Sequence, residues 1–246
     1  MRTRYAVANW KMNLPPEGIE PYIRALENAP AGAKLVVAPP FVYVDDVARI
    51  ARNVAVAAQN CGDRASGAFT GEVSAKMLRD VGVTFVIVGH SERRNVYHED
   101  DALVARRFAM AIDHGLTPVL CIGEDLKTRD AGEVTRFLAD QIHAVVSESL
   151  DRAQELVLAY EPIWAIGTGR NATGAMCAET VATIRASVRY SWPARLHDVP
   201  VLYGGSVTPD NVDDLVTNGG IDGFLVGGAS LDSAKFLAIH AALSAP

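Results

Sequence analysis

Short apolar, β-branched runs recur eight times along this chain, at residues 5–8, 35–38, 54–58, 85–88, 118–122, 156–160, 201–203 and 223–226. They are near-continuous rather than alternating, the pattern of strands covered on both faces. Between them lie stretches of helical periodicity, such as 102–112 with Leu103, Arg106, Arg107 and Met110, or 137–150 with Ile142, Val145 and Val146. Parallel strands need crossover connections, and helices supply them. Eight such units in 246 residues match a closed (β/α)8 barrel, which takes about 250. An open doubly wound sheet usually carries a G-x-G-x-x-G turn after its first strand; here that turn reads Ala-Asn-Trp-Lys-Met-Asn. The expected fold is α/β, a single (β/α)8 barrel domain of eight parallel strands spanning residues 1–246.

Helix-start chemistry supports these boundaries. Ser91 and Glu92 open a turn after the fourth run, and Thr208-Pro209-Asp210 sets a capping hydroxyl before a proline at the first helical position. No Pro/Gly/Ser linker or shift in composition divides the chain. Residues 59–72 are long for a connection without evident secondary structure, which marks a functional or interface segment.

Composition narrows the partners. With 23 Lys and Arg against 29 Asp and Glu, the formal charge is −6, so neither nucleic acid nor an anionic membrane is an expected partner. An anionic ligand must be drawn in by local positive features. Cys61, Cys121 and Cys177 are odd in number and far apart, without a C-x-x-C pair or clustered histidines, so neither a disulfide framework nor a metal site is expected. A reducing cytoplasm fits best. No stretch reaches the roughly 18 apolar residues that span a bilayer, and Asn9 and Lys11 interrupt any signal-peptide core.

In a barrel the strand ends converge at one rim, so polar residues just after apolar runs become neighbours. Asn9 and Lys11 follow the first run, Gln59 and Asn60 the third, His90 the fourth, Cys121 ends the fifth, Glu161 follows the sixth, Ser206 the seventh, and Gly227 and Gly228 the eighth. Together they offer a base, two electrophiles and an anion pocket. Glu161, between an apolar run and Pro162, is poorly placed to be a mere surface charge. If a helical turn begins at Ser91, its positive end opposes imidazolium formation and favours a neutral His90 at pH 7. Asn9 and Lys11 are two apart, so in an extended segment both leave the same face.

Five separated blocks then carry a resemblance from end to end. They are Ala-Asn-Trp-Lys-Met-Asn at 8–13; Gln-Asn at 59–60 with Gly-Ala-Phe-Thr-Gly-Glu-Val-Ser at 67–74; Val-Gly-His-Ser-Glu-Arg-Arg at 88–94; Ala-Tyr-Glu-Pro-Ile-Trp-Ala-Ile-Gly-Thr-Gly at 159–169; and Tyr-Gly-Gly-Ser-Val at 203–207 with residues 223–231. In order and spacing the chain resembles the triosephosphate isomerase family. The resemblance implies Glu161 as the base that moves a proton between adjacent carbons of a triose phosphate through an enediol(ate). It implies His90 as a neutral hydrogen-bond donor, an arrangement for which this family is itself the standard worked example. Lys11 and Asn9 would contact substrate and steady negative charge. Backbone amides of Gly167, Ser206, Gly227 and Gly228 would hold the phosphate.

The resemblance further implies a lid over 164–172 that closes to keep the intermediate dry. Arg170-Asn171 and Gly174-Ala175-Met176 depart from the family's usual lid sequence. Glu92 would lie beside the lysine and histidine, and Cys121 is read as a packed thiol rather than a nucleophile. The loop around Thr70 would insert into a second copy, giving a homodimer or a tetramer of dimers. No metal or organic cofactor is implied, and the place in metabolism would be glycolysis and gluconeogenesis. A paralogue acting on a four-carbon ketose phosphate would share the same residues; a barrel kept only for phosphate binding would be free to lose its base.

Overall fold

The computed structural model describes residues 2–165 and 172–244. Its strands are β1 (Tyr5–Asn9), β2 (Lys34–Ala38), β3 (Ala55–Ala58), β4 (Phe85–Val88), β5 (Thr117–Ile122), β6 (Val157–Tyr160), β7 (Val201–Tyr203) and β8 (Gly223–Val226). Each pairs in parallel with the next, and β8 pairs back onto β1, closing the barrel. The helices around it are α1 (Ile19–Glu27), α2 (Val44–Ile50), α3 (Ala75–Asp80), α4 (Ser91–Val96), α5 (Asp101–Asp113), α6 (Leu126–Asp130), α7 (Val134–Val146), α8 (Gly174–Ser191), α9 (Val212–Asn218) and α10 (Ser233–Ser244). The eight apolar runs are therefore the eight strands, with ends shifted by a residue at most.

Two helix expectations are corrected. The periodic stretch 137–150 is helical from Val134 to Val146, and Leu150 belongs to a separate 3-10 turn, Leu150–Arg152. The intervening Ser-Glu-Ser favours a turn, with the Ser149 amide donating to the Val146 carbonyl. Thr208 and Pro209 do not start a helix either. The Asn211 side chain takes the Thr208 amide at 2.9 Å, closing a turn from which α9 begins only at Val212.

Strand alternation splits the apolar side chains into two cores. One is inside the barrel and includes Tyr5, Val7, Val36, Phe85, Ile87, Val119, Cys121, Val157, Ala159, Leu202 and Leu225. The other lies between strands and helices and holds the alternate residues, such as Ala6, Val86, Leu120, Leu158 and Phe224. The N-terminal end of the interior is filled by rings, Tyr5 against Phe85 edge to face at 6.0 Å. Two residues beyond the last inward side chain of each strand, the same parity gives Asn9, Pro40, Gln59, Gly89, Gly123, Glu161, Gly204 and Gly227. Four of these eight are glycines; the space a Cβ would take at 89, 123 and 204 is filled by neighbours, Arg94 and Val104 at the first and Glu161 at the other two.

Closure is tight. Gly223 has φ +153°, and a Cβ there would overlap the Tyr5 backbone across the β8–β1 seam. Beside it, Asp222 accepts from Arg2 Nε at 2.8 Å, from Arg185 at 2.7 Å and from the Val201 amide at 2.9 Å, fixing the N-terminal end. Gly223→Ala is expected to cost at least about 1–3 kcal/mol of stability through overpacking at the seam. Urea unfolding measures it, and an unchanged midpoint would contradict the seam's tightness.

Candidate active site

Glu161 follows β6 on the inward row. Its amide donates to the Ile122 carbonyl at 2.7 Å, which holds it over β5, and its side chain is 2% exposed. Two glycines make room. A Cβ on Gly204 would stand 2.8 Å from Glu161 Cγ, and one on Gly123 would overlap the Glu161 carbonyl. Oε2 accepts from the Ser91 amide at 2.8 Å. Oε1 lies 3.0 Å from His90 Nε2, near enough for strong attraction although the angle falls short of a straight hydrogen bond. Burial alone would raise this carboxyl; the His90 ring and the Ser91 amide outweigh burial and hold it below its ordinary range.

His90 caps α4. Its Nδ1 accepts from the Glu92 amide at 3.2 Å, so a neutral ring carries its proton on Nε2, facing Glu161. The expected helical turn at Ser91 is present. Burial pulls the imidazole down, with Lys11 adding to it; Glu161, and Glu92 further off, outweigh them and raise the ring above its ordinary value. The upward pull depends on where the Glu161 carboxylate rests.

Lys11 reaches the same cavity by a different route from the one strand alternation suggests. β1 ends at Asn9, and Lys11 has a left-handed backbone, φ +52°. Two side chains hold that conformation: Asn9 Oδ1 takes the Lys11 amide at 3.0 Å, and Gln59 Nε2 donates to the Lys11 carbonyl at 2.8 Å. Lys11 Nζ pairs with Glu92 at 2.6 Å. A Cβ on Gly227 would come within 3.3 Å of Lys11 Cε, so the glycine lets the lysine stem lie against the backbone.

Asn9, Lys11, His90 and Glu161 line one cavity of about 230 Å³ together with residues 204–208, Leu225 and 227–229. Ser206, Gly227 and Gly228 thus stand where the sequence places them. Gly228 opens a 3-10 turn, Gly228–Leu231, whose first amides have no acceptor within the turn. Gly167 lies outside the described residues, as do Arg170 and Asn171. Gly174, by contrast, opens α8 with its amide on Asp214 Oδ2 at 2.7 Å; a Cβ there would press on Asn218 at 2.7 Å, so glycine lets α8 approach α9. Cys121 is fully buried, as expected of a packed thiol, and burial pushes it well above its ordinary value.

Sequence reading misses Glu124. It has no exposed surface, yet accepts from Tyr160 Oη at 3.0 Å, Trp164 Nε1 at 2.9 Å and Arg129 Nη1 at 3.1 Å. Arg129 also stacks on Trp164, 4.8 Å from the ring centroid. Glu124 thereby fixes the residue that leads into 166–171. Its signal is faint, a glutamate two residues past β5 in a sequence with many glutamates.

Fold and site together define a (β/α)8-barrel enzyme with acid–base groups at the C-terminal mouth of its strands. A family model described as Triosephosphate isomerase matches residues 4–243. Proteins named triosephosphate isomerase are similar over nearly their whole length: one from Ligilactobacillus salivarius is 42% identical, covering 96% of this chain and 97% of its own. One from Hydrogenovibrio crunogenus is 42% identical over 97% of each, and one from a Vibrio species (strain ANT-300) is 41% identical over 100% of each. The chain belongs to the triosephosphate isomerase family and is an isomerase.

The coupling of His90 to Glu161 is open to direct test. In the intact protein the His90 ring, followed by NMR, is expected to titrate above its ordinary pKa. In Glu161→Gln, with the main opposing charge removed, that pKa is expected to fall as burial takes over. An unchanged His90 titration would contradict the pairing.

Proposed function

We propose that this protein interconverts dihydroxyacetone phosphate and D-glyceraldehyde 3-phosphate by proton transfer through an enediol(ate). The observation that carries this reading is the convergence of Glu161, His90 and Lys11 on one cavity that the glycine-rich segments 204–208 and 227–229 also line. Glu161 is the base. It is ionised, because its carboxyl is held low, and buried, so its charge is little screened. To reach a substrate carbon it gives up the Ser91 amide. His90 then loses the charge that raised it, and burial together with the amide on Nδ1 leaves a neutral ring whose Nε2 proton can be donated to a substrate oxygen. Lys11, exchanging Glu92 for substrate, stabilises negative charge on the enediolate, and Asn9 orients it.

Amides at Ser206, Gly227 and Gly228, with Gly167, hold the phosphate at the start of the 3-10 turn. Closure of 164–172 over the cavity excludes water from the intermediate. The whole chain, 1–246, acts as one domain without metal or organic cofactor, in the glycolytic and gluconeogenic interconversion of trioses in the cytoplasm. Among the described residues no helix is long and apolar enough to cross a membrane.

The working unit we propose is a homodimer built on the Thr70 loop. Residues 64–72 stand exposed. Apolar side chains in the adjoining rim connections are also exposed, among them Met12 at 93%, Val42 at 78%, Val96 at 65% and Tyr97 at 66%. They occupy the connections after β1 to β4, one sector of the rim, which a second copy would cover.

Initial rates on D-glyceraldehyde 3-phosphate, against a four-carbon aldose phosphate and without added metal, test the substrate. A kcat/KM near about 10⁸ M⁻¹s⁻¹ is expected, a ceiling at which this family already stands; a faster tetrose rate would move the protein to the paralogous reaction. Glu161→Gln is expected to lower kcat by about 10²–10⁴-fold, the usual contribution of a general base, with inhibition by inorganic phosphate retained. Full turnover in that variant would remove Glu161 from the role.

A further inference from the structure

We propose that Tyr22 is a positioning residue for phosphate binding: from α1, its buried hydroxyl sets the orientation of the 3-10 turn Gly228–Leu231. The inference rests on the reading that this turn holds the substrate phosphate. Tyr22 has no exposed surface, and its hydroxyl donates to the Ser230 carbonyl at 2.6 Å. Ser230, equally buried, turns its amide and its hydroxyl onto the Gly227 carbonyl, at 2.8 Å and 2.7 Å. Just beyond the turn, the Ser233 amide donates to Glu17 Oε1 at 3.1 Å. Residues 17 and 22 therefore hold this segment at two places.

An anion site made of backbone needs amides presented and carbonyls turned away, because an outward carbonyl repels the ligand. With the Gly227 and Ser230 carbonyls engaged inside the fold, the first amides of the turn are left on the cavity side, where Gly228 and Ala229 line it. The Tyr22 hydroxyl is the protein donor to the Ser230 carbonyl, whose loss would leave a buried acceptor unpaired and favour reorientation of the turn. The ring itself is braced by Trp10, edge to face at 5.1 Å and 89°. Trp10 immediately precedes Lys11, so one tyrosine steadies both the residue before the cation and the turn that offers amides. Burial raises the phenol well above its ordinary value, which keeps it a donor across the working range.

The full-length Tyr22→Phe variant tests this, since it removes one hydroxyl and keeps the ring. Inhibition by inorganic phosphate, KM and kcat are measured at a temperature where the variant is folded by circular dichroism. The phosphate Ki and KM are both expected to rise about three- to tenfold, the scale of one buried hydrogen bond, with kcat within about twofold. Glu17→Ala, which releases the second hold, is expected to move Ki the same way by less. A Tyr22→Phe Ki equal to that of the unaltered enzyme would overturn the inference while leaving the phosphate reading intact. If inorganic phosphate does not compete with substrate in the unaltered enzyme, the phosphate reading fails and this inference with it.

Discussion

Everything at the mouth of this protein depends on β8 pairing with β1. That seam converts a row of parallel strands into a ring, and only in a ring do residues from positions 9, 90, 161 and 227 share one space. The seam is made by backbone pressing on backbone at Gly223 and Tyr5, and anchored by a carboxylate, Asp222, that ties the N-terminal segment, β7 and α8 together. Once the ring is closed, the two-residue period of each strand sorts side chains into an inner and an outer core. Continuing that period past the strand ends brings Asn9 and Glu161 to the cavity, whereas His90, of the other parity, and Lys11, with its left-handed backbone, reach it outside the packing pattern.

The charges at the mouth form a chain in which each group is set by its neighbour. Glu161 is buried, and burial alone would raise its carboxyl; the His90 ring and the Ser91 amide outweigh it and hold the group below its ordinary value. His90 in turn is pulled upward by Glu161, while its Nδ1 is occupied by an amide of the helix it caps. Glu92 links this pair to Lys11 at the more exposed side. In a site so poorly screened, moving one carboxylate by a few ångströms redistributes the preference for protons among the rest.

Much of this was legible in the amino-acid sequence. The eight apolar runs are the eight strands, and Glu161, His90, Lys11, Asn9, Ser206, Gly227 and Gly228 all line the cavity. Those residues declare themselves because functional groups next to apolar runs are conspicuous. What escaped was of other kinds. Lys11 faces the cavity because two side chains hold its backbone left-handed, a three-body arrangement that no spacing rule contains. Burial pulls the His90 ring down and the neighbouring Glu161 carboxylate pulls it up, a contest between packing and pairing that no spacing of residues displays. Glu124 is invisible because what matters is its burial, and Thr208 misleads because Asn211 competes for the same turn.

The interior of the barrel changes in bulk along its axis. Tyr5 and Phe85 plug the N-terminal end, aliphatic side chains fill the middle, and the far end opens into the cavity bounded by Asn9, Lys11, His90, Glu161 and the glycines at 204, 205, 227 and 228. Because side chains fill the barrel below the cavity among the described residues, whatever binds there comes and goes by the one mouth at the strand ends.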